Sequence, residues 1–443
     1  MTRLEIAWPD AALERVHAAR GRIEKAAPAL RRMTVGDRID AVARTLASWT
    51  APDSPYRREL VELLGEASPM HHDTVAEGLE SALRAWDPAR FRDCCRAELA
   101  SVPFGPPSDG PARGARRIAP FDWTAVLAGG SIPMPTLLSG LLPLVGGSPV
   151  LLRETSKDPV TGGLLKRSLT AVQPDLARAF EPVAFPAEDD AALDAFLAAP
   201  CVVATGSDET IRAVGHKLQP SQRLVAYGHR FSLAVLGPGC LRDASGLERV
   251  VTDLALDVAR WDQSGCLSPA VVYLLGIEEE DRPSVAHALS GALERWAGGL
   301  PRGEIPVEVL ASKAFECEEA RMRAAAGRAV LVLDGAGGTV ILEDTPAPRP
   351  APLHRFLRLL PVRDEAELLE RLEPYRGHLS SVALAGLDEP TEMSLEGALA
   401  RLGVSRVTEP GRLQTPPVDW PHDGMPLLIP MLRFVQSDRA RTP

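Results

Sequence analysis

The sequence predicts an α/β chain: two doubly wound parallel-sheet domains preceded by a helical N-terminal segment. Three observations carry this. From Ile118 onward, short and nearly continuous apolar runs alternate with stretches of helical periodicity, the pattern of strands covered by helices on both faces. Residues 10–100 instead place apolar side chains at three-to-four spacing, for example in 11–16 and 37–43, as helices do. Finally, 443 residues exceed what one hydrophobic core organises well, so two or three domains are expected.

The elements follow in order. Residues 103–114 (PFGPPSDGPARG) break the helical segment with proline and glycine. A strand is expected at 123–128, a helix at 135–144, a strand at 149–153 and a helix at 158–171. Further strands at 201–205 and 223–227 flank a helix at 208–216. A second alternating unit has a helix at 247–261, a strand at 271–275, a helix at 284–296 and a strand at 329–333. A helix at 364–372 and a strand at 381–385 close it.

Composition narrows the function. The chain is 45% hydrophobic and 24% charged with a net charge of -10, which gives no electrostatic reason to expect nucleic acid or an anionic membrane surface. The six cysteines show neither a disulfide framework nor a CxxC pair, and no Cys/His cluster has zinc spacing. The adjacent pairs Cys94-Cys95 and His71-His72 read as helix-face residues. No basic-then-apolar leader opens the sequence. Its most apolar stretch, 126–152, is repeatedly interrupted by Gly and Pro. A soluble protein of the reducing cytoplasm, without membrane insertion, is expected.

Five segments at strand ends hold the residues that can do chemistry. Asp262-Gln263-Ser264-Gly265-Cys266-Leu267-Ser268-Pro269 puts a thiol between a helix and a strand, where rigid elements can hold a nucleophile open to a ligand; a buried structural cysteine is the alternative. Thr205-Gly206-Ser207 follows a strand and opens a helix, so its backbone N–H groups can accept a phosphate, or Ser207 or Asp208 simply caps the helix. Gly129-Gly130-Ser131-Ile132-Pro133 has the same strand-to-helix setting, with Ser131 as a hydroxyl donor. Arg153-Glu154-Thr155-Ser156-Lys157 ends another strand, and its cations and hydroxyls suit a phosphorylated ribose as well as a solvated loop. Tyr227-Gly228-His229-Arg230 supplies a histidine for proton handling or for structure.

In their order, GGSIP, RETSKDP, ATGSDETI, YGHRFSLAV and DQSGCLSP resemble the aldehyde dehydrogenase superfamily. They are most similar to its acyl-CoA (acyl-thioester) reductase branch, the fatty-acid reductases of bacterial bioluminescence. The segments Gly377–Ala383, 402–407, 422–424 and 432–434 add to the likeness, which spans roughly residues 115–435.

The resemblance implies an aldehyde-dehydrogenase-like fold. Its expected parts are a helical segment 1–102, a cofactor domain 103–238, a catalytic domain 239–410 and a C-terminal segment 411–443. That last segment would return to the cofactor domain or to an oligomer interface. It implies Cys266 as nucleophile; Ser131, as an oxyanion donor, and His229, for proton handling, are the further catalytic candidates. Arg153, Ser156, Thr205, Gly206, Ser207 and Gly228 would form the cofactor site, and no metal is expected. Ser156 stands near where NAD-preferring members carry an acid, which leans toward NADPH, with NADH as the alternative. An acyl-CoA or acyl-carrier-protein substrate and a homodimer or homotetramer follow from the same resemblance.

Three departures stand out. Ser131 or Gly130 replaces the family's oxyanion asparagine, Ala226 replaces the water-activating glutamate, and His354-Arg355-Phe356 lacks the glutamate of the Glu-x-Phe motif. The expected activity is NADPH-dependent reduction of an acyl thioester to an aldehyde through a thioacyl cysteine. Aldehyde oxidation, acyl-phosphate reduction and a non-catalytic acyl-binding scaffold are the alternatives.

Overall fold

The computed structural model describes residues 10–101, 116–130, 132–347 and 349–436. Its strands, in chain order, are β1 (Arg116–Ala119), β2 (Thr124–Leu127), β3 (Val150–Arg153), β4 (Phe180–Val183) and β5 (Cys201–Thr205). Next come β6 (Arg223–Tyr227), β7 (Phe231–Leu236), β8 (Pro269–Leu275), β9 (Leu331–Asp334) and β10 (Thr339–Leu342). The last are β11 (Phe356–Val362), β12 (Leu379–Ala385), β13 (Arg406–Thr408) and β14 (Arg433–Gln436). The chain forms two compact units, one of residues 1–68, 83–228 and 417–443, the other of 69–82 and 229–416. Among the described residues no helix is long and apolar enough to cross a membrane.

The first unit holds a parallel sheet in the order β4-β3-β2-β5-β6. The chain winds outward from β2 to β4, then returns to β5 beside β2, which makes the β2/β5 junction a topological switch point. Both sheet faces are covered because strands such as Thr124–Leu127 are buried throughout. Helix Ala12–Arg32 aligns Val16, Ala19 and Ile23 on one face, against Ala125, Leu127, Leu151 and Val202. On the unit's helical side, Trp49 of helix Val35–Thr50 donates from Nε1 to Ser168 Oγ at 2.9 Å. Glu98, on helix Pro88–Ser101, accepts from the N–H groups of Leu427, Leu428 and Ile429. The C-terminal residues are thereby tied into this unit, where β14 pairs antiparallel with β1.

The second unit holds a sheet in the order β13-β12-β7-β8-β11-β10-β9. Alternate residues divide two cores. Ala234, Leu236, Val272, Leu274, Leu357 and Leu359 meet helices Ala244–Ala259 and Arg282–Gly299. Leu233, Val235, Tyr273, Leu360 and Val382 meet helices Glu365–Leu372 and Glu389–Arg401.

Several expectations are corrected here. Residues 231–236, assigned to the cofactor segment, form β7, whose ladder partners β8 and β12 lie in the second sheet. The expected 329–333 strand is β9, an antiparallel edge strand. The helix expected at 247–261 stops at Ala259, because Trp261, Asp262 and Gln263 have φ of 56°, 48° and 62°. The helix expected from Asp158 starts at Thr161, and the Asp158 carboxylate accepts from Thr161 N at 3.1 Å.

Candidate active site

The first unit gathers its glycine turns at the carboxyl ends of β2, β5 and β6. A Cβ at Gly129 would lie 2.2 Å from the Thr205 carbonyl oxygen, so the turn after β2 rests on the end of β5 only because residue 129 lacks a side chain. Gly206 N donates to the Tyr227 carbonyl at 3.1 Å, and a Cβ at Gly228 would meet the Asp208 carboxylate at 2.8 Å. Ser207 caps helix Asp208–Lys217 by accepting from Thr210 N at 3.2 Å. The Tyr227 ring stacks on His422 with centroids 4.5 Å apart. The switch point is where doubly wound sheets leave room for a ligand, and Thr205, Gly206, Ser207 and Gly228 meet around it.

After β3, Thr155 and Asp158 pair across a tight turn with exposed Ser156 at its tip. Thr155 Oγ1 reaches the Gly130 carbonyl at 3.4 Å, so this turn also borders the switch point. Arg153 does not share that exposure. It is 9% exposed and donates to the Phe185 carbonyl at 3.0 and 3.3 Å, with its guanidinium 4.8 Å from the Phe185 ring centroid. Burial lowers its pKa. Ser131 lies outside the described residues. One group the sequence analysis passed over is Glu154: it accepts from Gly163 N at 3.0 Å, and burial pushes its carboxyl up to about 7. An acid next to a strand-end arginine was the available signal.

In the second unit, Cys266 lies at the amino edge of the sheet, three residues before β8. Of the six cysteines it alone is exposed. Burial pushes the thiols of Cys94 to about 12 and of Cys201 and Cys240 to about 11, and raises those of Cys95 and Cys317. A thiol held protonated by burial is a poor nucleophile, and Cys266 is the cysteine that is exposed. Residues 228–230 join the carboxyl end of β6 to the amino end of β7. His229 is exposed, and its carbonyl lies 3.3 Å from Nδ1 of His378, which precedes β12.

The Cys266 loop is pinned at both ends. Gln263 Nε2 donates to Pro269 O at 2.8 Å and Phe356 O at 2.9 Å, while Phe356 N donates to Gln263 Oε1 at 2.8 Å. A second left-handed run, Leu353, His354 and Arg355 with φ of 65°, 53° and 64°, faces the first. Arg355 Nε donates to Asp262 Oδ1 at 2.8 Å, and Asp262 Oδ2 accepts from Gly303 N at 2.9 Å. Arg355 and Asp262 are buried. Left-handed non-glycine residues cost about 1–2 kcal/mol each, so these bonds hold the two runs in place. Neither Gln263 nor Asp262 was singled out from sequence.

Beneath the loop, Gln414 Nε2 bonds Ser268 Oγ and donates to Asp257 O at 3.1 Å. The Asp257 carboxylate accepts from Gly411 N at 2.7 Å, yet burial pushes it up to about 7. The unfolded carboxyl releases its proton near 4. Between about pH 4 and 7 the native state therefore binds more protons, and stability falls as pH rises, by up to about 1.4 kcal/mol per pH unit from this group. Asp257→Asn is expected to flatten that slope, measured as urea midpoints from pH 4.5 to 7.5; an unchanged slope rejects the assignment.

Comparison with known proteins places this geometry. The chain is 25% identical over 319 residues to a long-chain acyl-protein thioester reductase of Aliivibrio fischeri, covering 71% of this chain and 63% of that protein. It is 22% identical over 317 residues to a protein of the same name from Photorhabdus laumondii, again 71% of this chain and 63% of that one. It thus spans less than two thirds of the length of these relatives. Among solved structures, methylmalonate-semialdehyde dehydrogenase from Oceanimonas doudoroffii superposes with a TM-score of 0.73 at 16% identity, covering 98% of this chain and 92% of that one. Aldehyde dehydrogenase 21 from Physcomitrella patens gives 0.71 at 14%, covering 97% and 91%. The fold is that of the aldehyde dehydrogenases. The family model described as acyl-CoA reductase (LuxC) matches residues 30–434, and the chain belongs to that family.

Proposed function

We propose that this protein reduces an acyl thioester, carried by CoA or by a carrier protein, to an aldehyde, with NADPH as reductant. The observation that carries the reading is the exposed Cys266 on a loop pinned at both ends, in a chain of this family. The Cys266 thiolate attacks the thioester carbonyl; its sulfur bonds the acyl carbon, the bond to the carrier sulfur breaks, and the carrier leaves as a thiol after taking up a proton. His229 is the residue we assign to that proton. The Cys266 N–H and Ser131 are assigned to the developing oxyanion, where one donor is worth about 3–4 kcal/mol of barrier. Nicotinamide, when bound, supplies a hydride to the acyl carbon. The carbon–sulfur bond to Cys266 then breaks, the aldehyde leaves and the thiolate is restored. Ala226 offers no base to activate water, which favours reduction over hydrolysis of the acyl enzyme.

The residues fit a dinucleotide. Gly129, Gly206 and Gly228 let the turns after β2, β5 and β6 pack closely around the switch point, and the backbone dipole at the N-terminus of helix Asp208–Lys217 attracts an anion there. Thr205, Gly206 and Ser207 are assigned to the pyrophosphate, and Arg153 and Ser156 to the adenosine ribose. Arg153 must exchange its Phe185 contact for that role. NADPH is favoured because Ser156 and Lys157 occupy the exposed tip of the turn, while the carboxylates beside it are turned to the backbone, Glu154 to Gly163 N and Asp158 to Thr161 N.

A panel of acyl-CoAs with NADPH and NADH tests the reading. Cofactor oxidation matched by equal amounts of aldehyde and released thiol is expected, faster with NADPH. Turnover only of aldehyde with oxidised cofactor, without CoA, would replace it with aldehyde oxidation.

A further inference from the structure

The ladders around β7 break at one residue. β7 pairs Ser232 with Pro269 and Leu233 with Val271, so β8 carries the extra residue Ala270. On its other side β7 pairs Phe231 with Leu379 and Leu233 with Val382, so β12 also carries one residue too many. Both bulges lie level with Ser232. Bulges at a strand end re-aim neighbouring groups, and here a side chain fills the gap they leave. The Ser232 hydroxyl, fully buried, donates to the Cys266 carbonyl at 2.8 Å and accepts from Ser381 N at 3.2 Å. The neighbouring buried hydroxyls of Ser380 and Ser381 have no hydrogen-bond partner among the described residues. Through this one hydroxyl Ser232 joins the Cys266 carbonyl to β12.

We propose that Ser232 is the positioning residue for the nucleophile. Its hydroxyl holds the Cys266 carbonyl toward the sheet. In a trans peptide the following N–H points the opposite way, so the same bond fixes the direction of Leu267 N–H beside the exposed thiol. Ser232 thereby sets the approach of the thioester to Cys266 without touching it. This inference rests on the thioester-reductase reading.

Ser232→Ala and Ser232→Cys, which keeps the volume but donates weakly, separate positioning from folding. A misplacement of about 1 Å can cost on the order of 10²-fold in rate. Both variants are therefore expected to lose roughly 10- to 100-fold in kcat, with KM and the rate of iodoacetamide labelling at Cys266 within about threefold of wild type. A kcat within about threefold in either folded variant overturns the proposal. So does a labelling rate that falls in step with kcat, which marks general collapse of the loop. Failure of the thioester-reductase reading shows in the wild type, as absence of aldehyde from every thioester; failure of this one shows only in the variants.

Discussion

Cys266→Ala is expected to lower aldehyde formation by at least about three orders of magnitude, because the proposed reaction carries the acyl group on this sulfur. The five remaining thiols are buried or half-buried, and burial raises each of them, so none can substitute. Cofactor affinity should stay within about threefold, since the residues assigned to the dinucleotide belong to a different sheet. Binding measured by quenching of protein fluorescence and turnover measured by aldehyde release separate the two effects. Turnover above about a tenth of wild type in the variant would remove Cys266 from the mechanism.

Arg355→Met carries the second large effect, on stability. The change leaves Asp262 in the core without its ion-pair partner, and among the described residues the Gly303 N–H is its remaining hydrogen bond. Breaking a buried pair from one side costs about 3–5 kcal/mol, or roughly 6–20 °C in thermal midpoint for a domain of this size. The loss should be cooperative with Gln263→Ala, because both side chains fasten the same two left-handed runs. A shift below about 2 °C would mean that the ion pair does not hold them.

Much of the architecture was legible because apolar continuity reports two-sided burial. The strands expected at 123–128, 149–153, 201–205 and 223–227 correspond to β2, β3, β5 and β6. β4 escaped because Glu181 and Pro182 interrupt it; Glu181 is satisfied by Lys166 and by Arg22 at 3.1 Å. β11 escaped because its central Arg358 reads as polar, although Glu343 and Glu316 pair it inside the core. Helix Val307–Ala325 was missed because Val307, Leu310, Phe315 and Met322 are exposed, so its apolar pattern does not mark its buried side. The Cys266 loop was readable from one cysteine in a small polar segment. Its supports were not: Trp261, Asp262, Gln263, Leu353, His354 and Arg355 have no local preference for positive φ, and bonds to residues 41 to 93 positions away hold it. The role of Ser232 was equally silent, since it arises from pairing offsets between strands.

Six residues locked into a rare backbone state have a thermodynamic corollary. The Cys266 segment is anchored by bonds within the fold, so under the proposed reaction capture of an acyl group need not order it. Affinity for the acyl donor should then be spent on the chain and its carrier rather than on assembling the reaction centre.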